Sequence, residues 1–251
     1  MFLDASKVAD YHRDGYVLVK SLFDTEEVSA MIQEVEGGER VANAIHSPTD
    51  TKGRQSRLAL WFDLGEDIWA AASTNPRIVN AVRVLMGEDI AFFHGKVMLK
   101  EAHTGGAWEW HQDYGYWYEQ GYLFPRLMSV FVALDPATLE NGCLQVLRGS
   151  HKLERLNHGK VGTQTGADPN RIAFIETQFE RVHCVMSPGD ALFFHSNLLH
   201  SSAPNDSDFD RRAFIMCYNA LANPQITEKK SSEQRPCPIS ADDAIRQFLK
   251  R

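Results

Sequence analysis

The chain of 251 residues contains 43% hydrophobic and 24% charged residues, which is ordinary for a globular protein with a sizeable core. A formal net charge of −7 without a long Lys/Arg block argues against nucleic acid or an anionic membrane as the main partner. No stretch approaches the roughly 18 apolar residues of a membrane helix, and Asp4 brings a charge too early for a signal peptide. The four scattered cysteines favour reduced thiols in a cytoplasmic protein.

The first third of the chain is predicted to be mainly helical. A short helix ending at Gly15 leads into a β-branched, aromatic strand, and a second helix begins with a capping-box pattern at Asp24 and ends at Gly37. Residues 38–57 are polar and weakly patterned, and a loop of this length is usually functional or mobile, so we consider it a candidate lid. Two further helices are predicted at residues 63–72 and 75–86.

From about residue 90 the sequence changes to short apolar runs separated by turns. These runs predict strands at residues 90–100, 128–134, 143–147, 181–186, 191–194 and 212–220. Strands that follow a helical third favour an antiparallel β sandwich or barrel with helices packed outside. No internal repeat or linker divides the chain, so we expect one domain over residues 1–251 that ends in a short helix near Phe248.

The most informative motif is His111-x-Asp113, which lies in an aromatic-rich stretch at residues 110–128. On an extended segment the alternation of side chains would direct both residues to one face. A single His-x-Asp is a weak signal, but His200 follows far downstream. Two imidazoles and one carboxylate that leave one side of the ion open suit a non-haem Fe(II) that must bind oxygen.

The sequence resembles the phytanoyl-CoA dioxygenase family of Fe(II)/2-oxoglutarate oxygenases from about residue 10 to residue 220. The matching pieces are Trp-His-Gln-Asp at 110–113, Asn-Gly-Cys-Leu-Gln-Val-Leu-Arg-Gly-Ser-His at 141–151, Gly-Asp at 189–190, and His200-x-Ser202-x-x-Asn205 followed by Arg211. This resemblance implies a mainly β fold with flanking helices around a double-stranded β-helix (jelly-roll, cupin-like) core.

The resemblance also implies roles for individual residues. His111, Asp113 and His200 would hold the catalytic iron, and Arg211 with the Ser202 hydroxyl would bind the distal carboxylate of 2-oxoglutarate. Arginine suits this position because its guanidinium pairs with a carboxylate through two parallel hydrogen bonds.

The strand before the triad carries His94 and Lys96, in the region where relatives contact the co-substrate, and we expect His94 to bind 2-oxoglutarate. Related halogenases have a small residue at the position of Asp113. In this chain the carboxylate of Asp113 occupies that position, which favours hydroxylation or another oxidation over halogenation.

The expected reaction uses Fe(II), 2-oxoglutarate and O2 to hydroxylate a small organic metabolite, with release of succinate and CO2. For the substrate pocket we expect Tyr114 and Trp117, which follow the motif, Arg57 from the candidate lid, and Arg148, where the family often has proline.

Desaturation, cyclisation or epoxidation would use the same residues. A non-catalytic metal- and 2-oxoglutarate-binding jelly roll and a zinc hydrolase are alternatives of other classes. The sequence predicts neither the substrate nor the oligomeric state.

Overall fold

A computed structural model describes residues 3–227 and 234–250 of the protein. The helices are α1 (Ala5–Asp14), α2 (Thr25–Gly37), α3 (Glu39–Ala44), α4 (Ile68–Ser73), α5 (Pro76–Met86), α6 (Asp113–Glu119) and α7 (Pro169–Ile175), with 3-10 turns at Ser150–Lys152 and Ala244–Lys250. The strands are β1 (Tyr16–Val19), β2 (Ile45–His46), β3 (Arg57–Trp61), β4 (Ile90–Lys100), β5 (Trp108–His111), β6 (Leu127–Ala133), β7 (Leu144–Leu147), β8 (His158–Val161), β9 (Gln164–Ala167), β10 (Arg181–Cys184), β11 (Ala191–His195), β12 (His200–Ser202) and β13 (Arg211–Ala220).

Two antiparallel sheets form the centre of the molecule. The larger sheet has the strand order β1-β11-β6-β13-β4-β3-β2, and the smaller one has the order β10-β7-β12-β5. Strands β8 and β9 form a separate hairpin whose second strand lies beside β5. Apart from the consecutive strands β2, β3 and β4, neighbouring strands in the two sheets are not consecutive in the chain. The chain therefore passes repeatedly between the sheets, as a jelly roll requires.

The larger sheet has two buried faces, and each packs against a different layer. Its outer face meets helices α2, α4 and α5, where Trp69 is fully buried with its ring centroid 4.8 Å from that of Phe214. Its inner face meets the smaller sheet, and Phe131 and Phe194 belong to the cluster between them. Full burial of one such aromatic side chain contributes about 1.5–3 kcal/mol, so both faces stabilise the sheet that carries the site.

Strand β4 shows how the sequence directs side chains to these two layers. Its residues pair with β13 in the register Lys96–Ile215 and Lys100–Arg211, and a bulge interrupts this register at Cys217. The bulge adds one residue on β4, and therefore Phe93 and His94, although adjacent, both belong to the inner face.

Helix ends follow the capping signals in the sequence. The Asp24 side chain accepts hydrogen bonds from the N–H groups of Glu26 and Glu27, and the Glu27 carboxylate accepts from the N–H of Asp24, which completes the capping box. Helix α1 ends at Gly15, whose φ of 85° lies in the left-handed region that glycine adopts without steric cost.

The structure differs from the sequence prediction in several segments. Residues 38–57 were expected to form an irregular lid, but they contain α3 and β2, and the carboxylate of Asp50 fixes the following turn by accepting three backbone hydrogen bonds. The helix predicted from residue 63 begins only at Ile68, because Asp67 is its N-cap and its side chain accepts the N–H of Ala70 at 2.9 Å. The C-terminal helix is a 3-10 helix. Helices α6 and α7 and the β8–β9 hairpin were not predicted.

In the part of the chain that the structure describes, none of the helices has the length and apolar character needed to cross a membrane. The four cysteines are buried and free.

Candidate metal centre

Three side chains from different elements converge between the two sheets. His111 ends β5 and pairs directly with His200, which begins β12. The Oδ1 atom of Asp113 lies 3.7 Å from Nε2 of His111 and 3.9 Å from Nε2 of His200. The three ligand atoms all lie within 4.8 Å of one another, which is close enough for the group to hold one metal ion. Within the described residues, this is the one group of His, Cys, Asp or Glu side chains close enough to hold a metal.

Asp113 reaches the site in a different way from the one predicted. The prediction placed it on the same strand face as His111, but the strand ends at His111 and Asp113 is the first residue of α6. The fully buried Gln112 holds this corner, because its side chain donates to the carbonyl of Asn197 at 3.1 Å and accepts from the N–H of Leu156 at 2.8 Å. The change from strand to helix therefore sets the direction of the carboxylate.

Hydrogen bonds behind the three side chains orient them towards a common centre. Nδ1 of His111 donates to the carbonyl of Glu109 at 2.7 Å, and Nδ1 of His200 donates to the carbonyl of Leu198 at 2.9 Å. Both Nε2 atoms are therefore left as acceptors, which is the form in which an imidazole binds a metal. The Ser129 hydroxyl donates to Oδ2 of Asp113 at 2.6 Å, so that Oδ1 faces the imidazoles.

The charge states of these groups also suit a cation. Burial, and the neighbouring His111, lower the pKa of His200 to about 3, so that its imidazole is neutral near pH 7. Burial alone would raise the pKa of Asp113, but the ammonium of Lys96 and the two imidazoles hold it well below its usual range. A neutral imidazole and an ionised carboxylate are the ligand forms that a divalent metal requires. The donor set, two nitrogens and one oxygen, is the one typical of non-haem Fe(II).

The open side of this centre is a cavity with mainly apolar walls. Its lining includes Leu58, Lys96, Trp108, Phe131, Phe194 and Arg211, together with His111 and His200. Such a cavity excludes water and strengthens electrostatic interactions with a bound ligand.

Arg211 is a buried cation that has no carboxylate partner in the described part of the chain. Its side chain is 2% exposed, and among the described residues its Nε and Nη1 atoms have no hydrogen-bond partner. The guanidinium lies over the ring of Phe131, with 5.7 Å to the centroid, and burial lowers its pKa to about 10. An unpaired buried guanidinium is costly unless a ligand supplies the opposite charge. Arg211 therefore fits a carboxylate that enters the cavity, as the distal carboxylate of 2-oxoglutarate would.

A second buried cation, Lys100, was missed by the sequence analysis. It lies directly across from Arg211 in the β4–β13 register, and its Nζ donates to Oγ of Ser202 at 2.7 Å and to the carbonyl of Ala203. Burial and the neighbouring Arg211 lower its pKa well below the usual range. The signal in the sequence is its alternation with Lys96 on a predicted strand, but only the strand register shows that it adjoins Arg211 and Ser202.

The other predicted site residues lie in several places. His94 is buried, its ring packs edge-on against Phe93 and Trp117, and it does not line the cavity. Burial lowers its pKa to about 3. Tyr114 and Trp117 were expected at the pocket, but α6 buries both in the core between the sheets. Tyr116, between them, contacts the metal site instead, since its ring centroid lies 5.3 Å from that of His111.

Neither predicted pocket arginine lines the cavity. Arg57 pairs with Leu99 in the sheet, so it faces away from its neighbour Leu58, and it forms an ion pair with Glu101 on the outer surface. Arg148 lies beyond the end of β7 and forms an ion pair with Glu180. The sequence alone does not show to which face of its strand Arg57 points or where β7 ends before Arg148, so neither surface position was predicted.

Comparisons with known proteins agree with this geometry. The family model of phytanoyl-CoA dioxygenase matches residues 11–213. An ectoine dioxygenase from Bordetella bronchiseptica is 26% identical over 97% of this chain and 84% of that protein. An L-proline trans-4-hydroxylase from Streptomyces griseoviridis is 28% identical over 85% of each protein.

Solved structures share the fold over nearly the whole chain. EctD from S. alaskensis, in complex with 2-oxoglutarate and 5-hydroxyectoine, has a TM-score of 0.75 and 25% identity and covers 94% of this chain and 82% of that one. The same enzyme with bound Fe also has a TM-score of 0.75. These similarities confirm the jelly-roll core with flanking helices, and iron and 2-oxoglutarate as cofactor and co-substrate. The family model matches most of the chain, and the triad lies at the centre of the fold. The chain therefore belongs to the phytanoyl-CoA dioxygenase family and is an Fe(II)/2-oxoglutarate-dependent oxygenase.

Proposed function

We propose that this oxygenase hydroxylates a small organic metabolite and that five residues carry the reaction. His111, Asp113 and His200 would hold Fe(II), while Arg211 and Ser202 would bind the distal carboxylate of 2-oxoglutarate. The observation that carries this assignment is the buried guanidinium of Arg211, with two unpartnered nitrogens, in the same cavity as the open side of the triad. The small-molecule substrates named for the relatives, ectoine and L-proline, support a substrate of similar size.

Bound iron and 2-oxoglutarate supply the oxidising chemistry, in which O2 converts 2-oxoglutarate to succinate and CO2 and oxidises the substrate. The chain supplies position and surroundings. Lys100 would complete the carboxylate site, because it anchors the Ser202 hydroxyl beside Arg211. The aromatic walls Trp108, Phe131 and Phe194 would exclude water and hold the substrate near the metal.

Other oxidation outcomes and a non-catalytic role use the same residues. The fold is shared with SnoN, described as an epimerase, and SnoK, described as a carbocyclase, at 23% and 19% identity. Similar folds therefore host different reactions, and the outcome must be identified from the product. A protein that binds metal and 2-oxoglutarate without forming succinate would be the non-catalytic alternative.

We also propose that the chain acts as one catalytic domain in the cytoplasm. The buried free cysteines and the expectation of reduced thiols support this location.

The test combines binding and turnover. For Arg211→Ala we expect 2-oxoglutarate affinity, measured by calorimetry with metal bound, to fall at least about thirtyfold, because removal of one partner of a buried charge pair costs about 2–5 kcal/mol. Succinate formation should require Fe(II), O2, His111 and Arg211. The control is Arg57→Ala, which removes an arginine from the outer surface and should leave both measurements unchanged. Unchanged 2-oxoglutarate affinity in Arg211→Ala would refute the assignment.

A further inference from the structure

We propose that Lys96 binds an acidic group of the substrate, so that the metabolite accepted by this site is a small aliphatic carboxylate. The inference rests on the proposed function, because the substrate must share the cavity with iron and 2-oxoglutarate.

Lys96 is a largely buried ammonium that faces the cavity. It lies on the inner face of β4, its side chain is 18% exposed, and it lines the cavity beside the triad. Its Nζ atom is 3.8 Å from Oδ1 of Asp113, which is too long for a hydrogen bond. Within the described ranges no other residue forms an ion pair with it. Three N–H donors of an ammonium are therefore left for a ligand.

Asp113 does not satisfy this ammonium. Its Oδ2 atom accepts the hydrogen bond of Ser129, and its Oδ1 atom faces the two imidazole nitrogens, where the metal would take it. Lys100 on the same strand makes a useful contrast, since its ammonium donates to Ser202 and Ala203. Of these two lysines on one strand face, Lys96 is the one that donates no hydrogen bond to the described residues.

The position of Lys96 separates it from the site for the distal carboxylate of 2-oxoglutarate. Lys100 is four positions after Lys96, and a strand rises about 3.3 Å per residue, so their backbones are about 13 Å apart. Lys100 lies across from Arg211, whereas Lys96 lies across from Ile215. Lys96 therefore lies apart from the strand pair Lys100–Arg211, where the distal carboxylate of 2-oxoglutarate is proposed to bind.

The balance of charge favours an anionic substrate. Among the residues that line the cavity are two cations, Lys96 and Arg211, and no aspartate or glutamate; Asp113 lies next to it. Fe(II) and the 2-oxoglutarate dianion offset each other, which leaves the two cations Lys96 and Arg211 against the single carboxylate of Asp113. A neutral substrate would leave the Lys96 ammonium with one counter-charge, the Asp113 carboxylate 3.8 Å away, which the metal would share; an anionic substrate would supply a second.

The surroundings of Lys96 indicate the rest of the substrate. Leu58, Met98 and Ile215 line the cavity from the same sheet, and they offer aliphatic contacts. The cavity therefore suits a molecule with a short hydrocarbon body and one carboxylate.

The experiment compares acids with their neutral amides. Protein loaded with Fe(II) and 2-oxoglutarate is titrated anaerobically in a calorimeter with three pairs: L-proline and L-prolinamide, valerate and valeramide, cyclopentanecarboxylate and cyclopentanecarboxamide. We expect at least one acid to bind about tenfold or more tightly than its amide, since a hydrogen bond to a charged group contributes on this scale. Lys96→Met should abolish the preference, and Lys96→Arg should keep most of it.

Two controls separate binding of the acid from other effects. The affinity for 2-oxoglutarate, measured first, should change by less than about twofold in both Lys96 variants, which also shows that they fold. Lys160→Met removes an exposed lysine on β8 and should keep the wild-type preference.

Several results would overturn the proposal. These are equal binding of every acid and its amide, no binding of any acid, or a Lys96→Met variant that loses affinity for 2-oxoglutarate rather than for the acid. The last result would assign Lys96 to the co-substrate. If the wild-type protein fails to bind 2-oxoglutarate before any acid is added, the proposed function itself is refuted and the substrate site falls with it.

Discussion

Ser129 offers a test of how the protein positions its metal ligands. Its hydroxyl donates to Oδ2 of Asp113 at 2.6 Å, and both side chains are almost fully buried, at 0% and 2% exposure. In Ser129→Ala the carboxylate loses this donor and the constraint that directs Oδ1 to the imidazoles. A hydrogen bond to a charged group contributes about 1.5–3 kcal/mol. Removal of such a partner behind a metal ligand typically weakens metal affinity about 10- to 100-fold.

The assay is a titration of metal-free protein with Fe(II) under anaerobic conditions, in competition with a chelator of known affinity. We expect Ser129→Ala to bind Fe(II) about 10- to 100-fold more weakly. The matched control is Ser56→Ala, which removes another buried serine hydrogen bond, donated at 2.9 Å to the carbonyl of Gly106. It should destabilise the fold without changing metal affinity. A wild-type affinity for Fe(II) in Ser129→Ala, or an equal loss of affinity in both variants, would show that Ser129 does not orient Asp113 as a metal ligand.

Two further predictions concern stability. A Cβ atom at Gly115 in α6 would lie 2.2 Å from the ring of His158, which accepts the N–H of Gln112, so Gly115→Ala should lower the free energy of unfolding by about 1–3 kcal/mol. The control is Gly159→Ala, next to His158 in the β8–β9 hairpin, where a Cβ atom meets no atom within 4 Å and should have little effect. Equal thermal midpoints of the two variants would contradict this. Burial lowers the pKa of His94 from 6.5 to about 3, so the unfolded chain takes up a proton below pH 6.5 while the folded one resists, and stability falls from pH 6.5 towards pH 3. We expect the free energy of unfolding, measured by urea titration, to fall between pH 7 and pH 5 by about 2 kcal/mol less in His94→Asn than in the wild-type protein. An unchanged pH dependence would argue against a neutral buried imidazole.

The metal ligands were predicted from the sequence, but the prediction gave the wrong local structure for one of them. His-x-Asp and the distant histidine are recognisable because residue type and spacing can be read from the sequence. The strand-to-helix corner at Gln112 was not predicted, because its hydrogen bonds go to Leu156 and Asn197, more than forty residues away. The structure confirms that the triad residues meet, and their role as metal ligands stays a prediction until the variants are measured.

The substrate pocket was predicted least well. Tyr114 and Trp117 follow the motif directly, but α6 turns both into the core. Arg57 faces outwards because its strand neighbour Leu58 faces inwards and side chains alternate along a strand. Nearness in sequence is a poor guide where the chain changes from strand to helix, since the side-chain period changes from two residues to 3.6.

The helical opening third, most of the strands and the residue types of the metal site could be predicted, because capping residues, apolar periodicity and ligand spacing are local properties of the chain. Three contacts could not be predicted: Lys100 adjoins Arg211, Ser129 donates to Asp113, and Lys96 faces the cavity. Those contacts depend on strand register between segments far apart in the chain. Register is fixed by the packing of whole sheet faces, and a shift of one residue would reverse every side chain.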